Sequence, residues 1–132
     1  MEIVVSQEKG RQPVTVFHVT GEINSTNYEE FEQKARDAYA ADTRNLLVDL
    51  KGVDYVSSAG IRALNAIMKM LRSDAPEESD AAMSKGLRDG TWKSPHLKLV
   101  NVSRHVYDVF KIAGVDMLLE MHKDLKEAIN SF

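Results

Sequence analysis

The stretch LLVDLKGVDYVSSAGIRAL, Leu46 to Leu64, sets two adjacent hydroxyls, Ser57 and Ser58, where an apolar strand-like run gives way to a helix-periodic one. Serine leads the residues that cap a helix N-terminus, because its oxygen accepts a bond from a backbone amide one turn ahead. A serine at the first helical position instead points its hydroxyl outward. A phosphate added there would bring about 1.5 to 2 negative charges, facing unpaired amides and the positive end of the helix dipole. The pair therefore reads either as ordinary caps, or as a cap, Ser57, beside a hydroxyl, Ser58, on which charge can be written. A nucleophile elbow is not supported, since neither serine has a glycine two residues before it.

Other candidate chemistry is thin. His18, His96, His105 and His122 are scattered without metal-ligand spacing, and no phosphate-cradling G-x-x-x-x-G-K-[ST] loop exists. His18 falls inside a strand-like run and reads as structural. Asp49 at a strand end and Asp54 in a loop fit backbone-orienting or solvent-facing roles better than that of a general base. No catalytic residue, metal or cofactor is expected.

The elements that would position the serines can be read from periodicity. Ile3–Val5 and Val14–Val19 are β-branched runs joined by a connection holding Gly10 and Pro13, as in a hairpin. After Gly21, Thr26 and Glu29 have capping-box spacing, and Tyr28, Phe31, Ala35, Ala38 and Tyr39 recur at helical spacing to about residue 41. Asn45–Leu50 is near-continuously apolar, as a buried strand is. From Ser58, the residues Ile61, Leu64, Ile67, Met68 and Leu71 mark one helix face, with Arg62, Asn65 and Lys69 elsewhere. Leu97–Val102 predicts a strand, and Ser103 the cap of a helix that carries Val106, Val109, Phe110 and Ile112 and stops at Gly114. VDMLLEM predicts a short extended piece or turn, and KDLKEAINSF a last helix. This order gives an α/β domain with a central mixed sheet of four to five strands and about four helices.

If the strands are parallel neighbours, their carboxyl ends bring Asn24, Ser25, Ser57, Ser58 and Ser103 to one edge, where α/β sheets gather their sites. The segment from Ser73 to His96 does not fit the alternation. It holds both later prolines and Trp92, and DAAMSKGL within it could form a helical turn or two. So long a connection reads as a mobile surface insertion or as a binding element carrying Trp92.

Composition bounds the rest. The chain has 132 residues, 17 Lys and Arg against 20 Asp and Glu, and no cysteine. One domain spanning 1–132 is expected. The slightly acidic balance gives no footprint for nucleic acid or an anionic membrane, and disulfides are excluded. With neither a signal peptide nor a membrane-length apolar run, a cytoplasmic protein is expected.

Three blocks, VFHVTGEINSTNYEEF, LLVDLKGVDYVSSAGIRALNAI and LKLVNVSRHVYDVFKIAGVDMLLEMHKDLKEAI, together resemble the STAS family, the bacterial anti-sigma-factor antagonists. The most specific part is the D-L-x-x-V-x-x-x-x-S-x-G core, from Asp49 through Val53 and Ser58 to Gly60. The resemblance implies that Ser58 is phosphorylated by an anti-sigma factor with serine kinase activity. It implies that the unphosphorylated protein binds that kinase, that phosphorylation releases it, and that a PP2C-type phosphatase restores binding. The implied partner surface comprises Asn24, Ser25, Thr26, Ser57, Ser58, Ala59, Gly60 and Arg62, with Gly60 allowing close approach of the partner. On that view Gly60→Leu costs binding far more than stability. The sequence departs from the family pattern at three places: Ser57 and Asn24 stand where an acidic residue is usual, and Ala59 where a hydroxyl follows the acceptor. The alternative is a STAS-like scaffold or small-anion-binding interaction domain without a phospho-switch.

Overall fold

The computed structural model describes residues 1–73, 80–90 and 92–132. Five strands form one sheet in the order β1-β2-β3-β4-β5: β1 (Glu2–Lys9), β2 (Pro13–Thr20), β3 (Leu46–Gly52), β4 (Leu97–Val100) and β5 (Met121–His122). β1 and β2 are an antiparallel hairpin, and β2 through β5 run parallel. The helices are α1 (Tyr28–Ala40), α2 (Ser58–Arg72), α3 (Asp80–Asp89), α4 (Arg104–Ile112) and α5 (Leu125–Asn130), with a 3-10 turn at Val115–Met117. The architecture is the mixed α/β sheet that the sequence predicts.

Alternation along the strands splits the core in two. Phe17, Val19, Leu46, Val48, Leu50, Leu97 and Leu99 face one side, against Phe31 and Ala35 of α1, Leu64 and Ile67 of α2, and Phe110 of α4. Val14, Val16, Leu47 and Val100 face the other, under Ala128 and Phe132. β3 is buried continuously from Leu46 to Leu50 because both of its faces are covered. Each such side chain contributes roughly 1.5–3 kcal/mol on burial, so the sheet centre is a firm base for the loops at its carboxyl edge.

Some boundaries differ from the periodic reading for local reasons. β1 runs on to Lys9 because all eight of its residues pair with β2, from Glu2↔Thr20 to Lys9↔Pro13. An edge strand can carry polar residues that break the apolar pattern. β4 stops at Val100, short of Val102, because Asn101 turns left-handed at φ 60. Within the 73–96 segment α3 supplies the helical turns expected of DAAMSKGL, while residues 74–79 and 91 lie outside the described residues. Trp92 is half-buried against the main core, and its amide donates to the Gly86 carbonyl of α3 at 3.1 Å.

Candidate functional site

Because β2 and β3 are parallel, the loops that leave them emerge at one edge, and the chain ties them together. Ile23 bridges Val56. Its amide donates to the Tyr55 carbonyl at 3.1 Å, and its carbonyl accepts the Ser57 amide at 2.9 Å. Ile23, Val53 and Val56 are buried, which anchors both loops on the core.

α2 begins at Ser58 as its cap residues require. Ser57 is extended (φ −82, ψ 173), its hydroxyl accepts the Gly60 amide at 3.4 Å, and its carbonyl accepts the Ile61 amide at 3.0 Å. Ser58 is exposed at the first helical position. Its hydroxyl has no hydrogen-bond partner among the described residues, unlike that of Ser57. The two serines are thus physically unequal: one is occupied in the fold and the other faces solvent.

Ala59 and Gly60 lie beneath this surface, both buried. A Cβ on Gly60 would stand 2.8 Å from Val56 Cγ1, 2.9 Å from Ile23 Cγ2 and 3.2 Å from the Ile23 carbonyl oxygen. The close approach that glycine permits is therefore made by the protein's own β2–α1 loop. Arg62, one turn on, is exposed and near enough to Tyr28 at the start of α1 for its charge to be felt. The Tyr28 phenol donates to Glu29 at 3.1 Å; that bond first, and the carboxylate's charge second, raise it above its ordinary pKa, while Arg62 acts the other way.

The loop after β2 holds Asn24, Ser25 and Thr26, the last two exposed. Asn24 Oδ1 accepts both the Thr26 amide at 3.0 Å and the Thr26 hydroxyl at 2.6 Å. Asn27 Oδ1 accepts the Asn24 amide at 2.9 Å, and Asn27 Nδ2 donates to the Glu22 carbonyl at 2.9 Å. The Thr26–Glu29 capping box is not formed: the Thr26 hydroxyl is spent on Asn24, and α1 starts after Asn27 without a side-chain cap. Side-chain-to-backbone turns of Asn compete with helix starts in this way. Ser103 does cap α4, accepting the Val106 amide at 3.3 Å.

Beside this edge lies a network that local periodicity does not reveal. His18 Nδ1 and Asp49 Oδ2 are 2.8 Å apart, and His18 Nε2 and Ser6 Oγ are 3.1 Å apart. Asp49 Oδ1 accepts the Lys51 amide and Asn101 Nδ2, each at 3.1 Å. Burial alone would push the Asp49 carboxyl up; the bonds from His18, Asn101 and Lys51 outweigh it and hold the group below its ordinary pKa. Asp49 thus orients backbone, as expected, but from mid-strand and not facing solvent. The only local signal was a carboxylate within an apolar strand. Among the described residues no group of three or more His, Cys, Asp or Glu could hold a metal ion, and no helix is long and apolar enough to cross a membrane.

Comparison with known proteins agrees with this geometry. The model of the STAS domain family matches residues 6–76. BtrV of Bordetella bronchiseptica, named as a candidate anti-sigma factor antagonist, is 30% identical over 94 residues, covering 71% of this chain and 65% of that protein. The match thus spans less than two thirds of BtrV. The unphosphorylated anti-sigma factor antagonist SpoIIAA superposes with a TM-score of 0.68 at 18% identity, over 96% of this chain and 94% of that one. Phosphorylated SpoIIAA, a Bacillus cell fate determinant, superposes with a TM-score of 0.61 at 17% identity, over 96% and 97%. At these identities the structural matches speak for the fold.

Proposed function

The chain belongs to the STAS domain family, and from that membership we propose that it is an anti-sigma-factor antagonist whose whole length, 1–132, is one STAS-like domain. Unphosphorylated, it binds an anti-sigma factor that is also a serine kinase; phosphorylation of Ser58 releases it, a PP2C-type phosphatase resets it, and transcription is regulated indirectly. The protein performs no catalysis of its own in this scheme. It acts in the cytoplasm, where that partner works.

The observation that carries this reading is the contrast between the serines. Ser57 is engaged as the cap of α2, whereas the Ser58 hydroxyl one residue on stands exposed and, among the described residues, unbonded. A phosphate on Ser58 would sit at the positive end of a fifteen-residue helix, in a setting that favours an anion. The charge would then change what docks on the edge without unfolding the domain beneath it. The partner surface reduces to exposed or half-buried groups: Asn24, Ser25, Thr26, Ser57, Ser58 and Arg62. Ala59 and Gly60 support them from below.

The test is capture from the native host on wild type, Ser58→Ala and Ser58→Asp, with identification by mass spectrometry and a phosphate assay on recovered wild type. The expected result is a serine kinase held by wild type and Ser58→Ala and lost by Ser58→Asp. Identical capture by all three, or none, rejects the switch.

A further inference from the structure

A second site lies on the same edge of the sheet, beyond the loops that carry Ser58. The carboxyl ends of β3, β4 and β5 enclose a cleft of about 430 Å³, within the usual size range for small-ligand pockets. Its walls carry two ammonium groups, Lys51 after the buried part of β3 and Lys123 just past β5. Both lysines are exposed, and neither makes an ion pair among the described residues. Val102, Tyr107 and Met121 supply apolar surface between them.

Most acids close by in the chain are engaged, whereas Asp54, three residues after Lys51, is exposed and makes no hydrogen bond or ion pair among the described residues. Glu120 pairs with Lys98 at 3.3 Å and with His122 at 3.0 Å. Asp124 accepts the Glu127 amide at 2.8 Å as the cap of α5, and Asp49 is held by His18 and Asn101. Asn101 shapes the floor. Its left-handed backbone is one that asparagine tolerates, its side chain is pinned to Asp49, and its amide donates to the His122 carbonyl at 3.0 Å. The cleft therefore pairs a preformed floor with two ammonium groups, and among the described residues no carboxylate lines its walls. A larger groove, between the β1–β2 hairpin and the end of α1, lacks this balance: Asp37 and Asp42 offset Lys34 and Arg44, and Arg44 is occupied by the carbonyls of Tyr39 and Thr43.

We propose that this cleft binds a small phosphomonoester, its dianion held by Lys51 and Lys123 and its apolar body resting on Tyr107, Met121 and Val102. Two compact ammonium charges match a phosphate dianion in charge. A carboxylate, with a single negative charge, would leave one of the two ammonium groups unmatched. The site shares no residue with the proposed docking surface, so either can fail while the other stands.

The test titrates the full isotope-labelled chain with phenyl phosphate, inorganic phosphate and benzoate, following amide shifts by NMR. Phenyl phosphate is expected to saturate with shifts at Lys51, Asn101, Val102, Tyr107, His122 and Lys123, and to bind about tenfold more tightly than benzoate. Inorganic phosphate should bind at the same place but more weakly, lacking the apolar body. The double variant Lys51→Gln/Lys123→Gln should weaken phenyl phosphate about tenfold or more, and each single variant by less, with an unchanged fold in the same spectra. Benzoate matching phenyl phosphate, shifts scattered over other lysines, undiminished binding by the double variant, or no saturable shift would each overturn the proposal.

Discussion

Ile23 lies directly against Gly60: a Cβ on the glycine would come within 2.9 Å of Ile23 Cγ2 and 3.2 Å of its carbonyl oxygen. That same carbonyl accepts the Ser57 amide, so one residue of the β2–α1 loop both packs and hydrogen-bonds the start of α2. Real Cβ atoms do not sit so close, and the Ile23 backbone cannot yield without breaking the Ser57 bond. Gly60→Ala should therefore destabilise the fold by about 1–3 kcal/mol, the usual cost of overpacking, and Gly60→Leu by more. Urea unfolding measures this directly. Stability kept in Gly60→Leu with only partner binding lost would mean that the glycine serves the partner after all.

Much of this edge was legible because caps and strand ends are local. The serines at 57 and 103 cap the helices that their spacing predicts, Gly114 ends α4 with its backbone at φ 80, and the apolar run at Leu46–Leu50 is the doubly covered strand. Where several short polar side chains compete, spacing is a poor guide. Asn24 and Asn27 take the bonds that a Thr26–Glu29 box would have used, and only three-dimensional geometry decides between them. The Asp49 network was hidden for another reason: its partners lie 31 and 52 residues away, joined by strand register. Lys51 and Lys123 were unremarkable in sequence because surface lysines are common. Only the fold brings them to one cleft.

The Asp49 network makes acid stability specific. Its carboxyl is held below its ordinary pKa in the folded protein, so its contribution is fully present above the unfolded value of about 3.9 and is lost as pH falls through the lower folded value. Asp49→Asn should cost about 1.5–3 kcal/mol at neutral pH, the range for hydrogen bonds to a charged group. The gap between wild type and variant should shrink as pH drops below about 4. Urea midpoints for both proteins across that range decide it. A gap that stays constant into the acid region would show that shape, not charge, is what Asp49 contributes.

Arg62 separates recognition from folding. It is exposed on α2 one turn past Ser58, and no hydrogen bond or ion pair holds it among the described residues. Arg62→Glu should leave stability within about 0.5 kcal/mol, as surface substitutions generally do. Its charge does reach Tyr28, where it opposes the rise caused by Glu29. Reversing that charge should move the Tyr28 phenol titration further up, a readout that reports the local field and not the fold. If the partner meets the Ser58 edge, the same variant should weaken binding about tenfold or more, mostly through slower association at low salt. Wild-type affinity in Arg62→Glu, with the Tyr28 titration displaced as expected, would move the docking surface off this face of α2 and toward the Asn24–Thr26 loop.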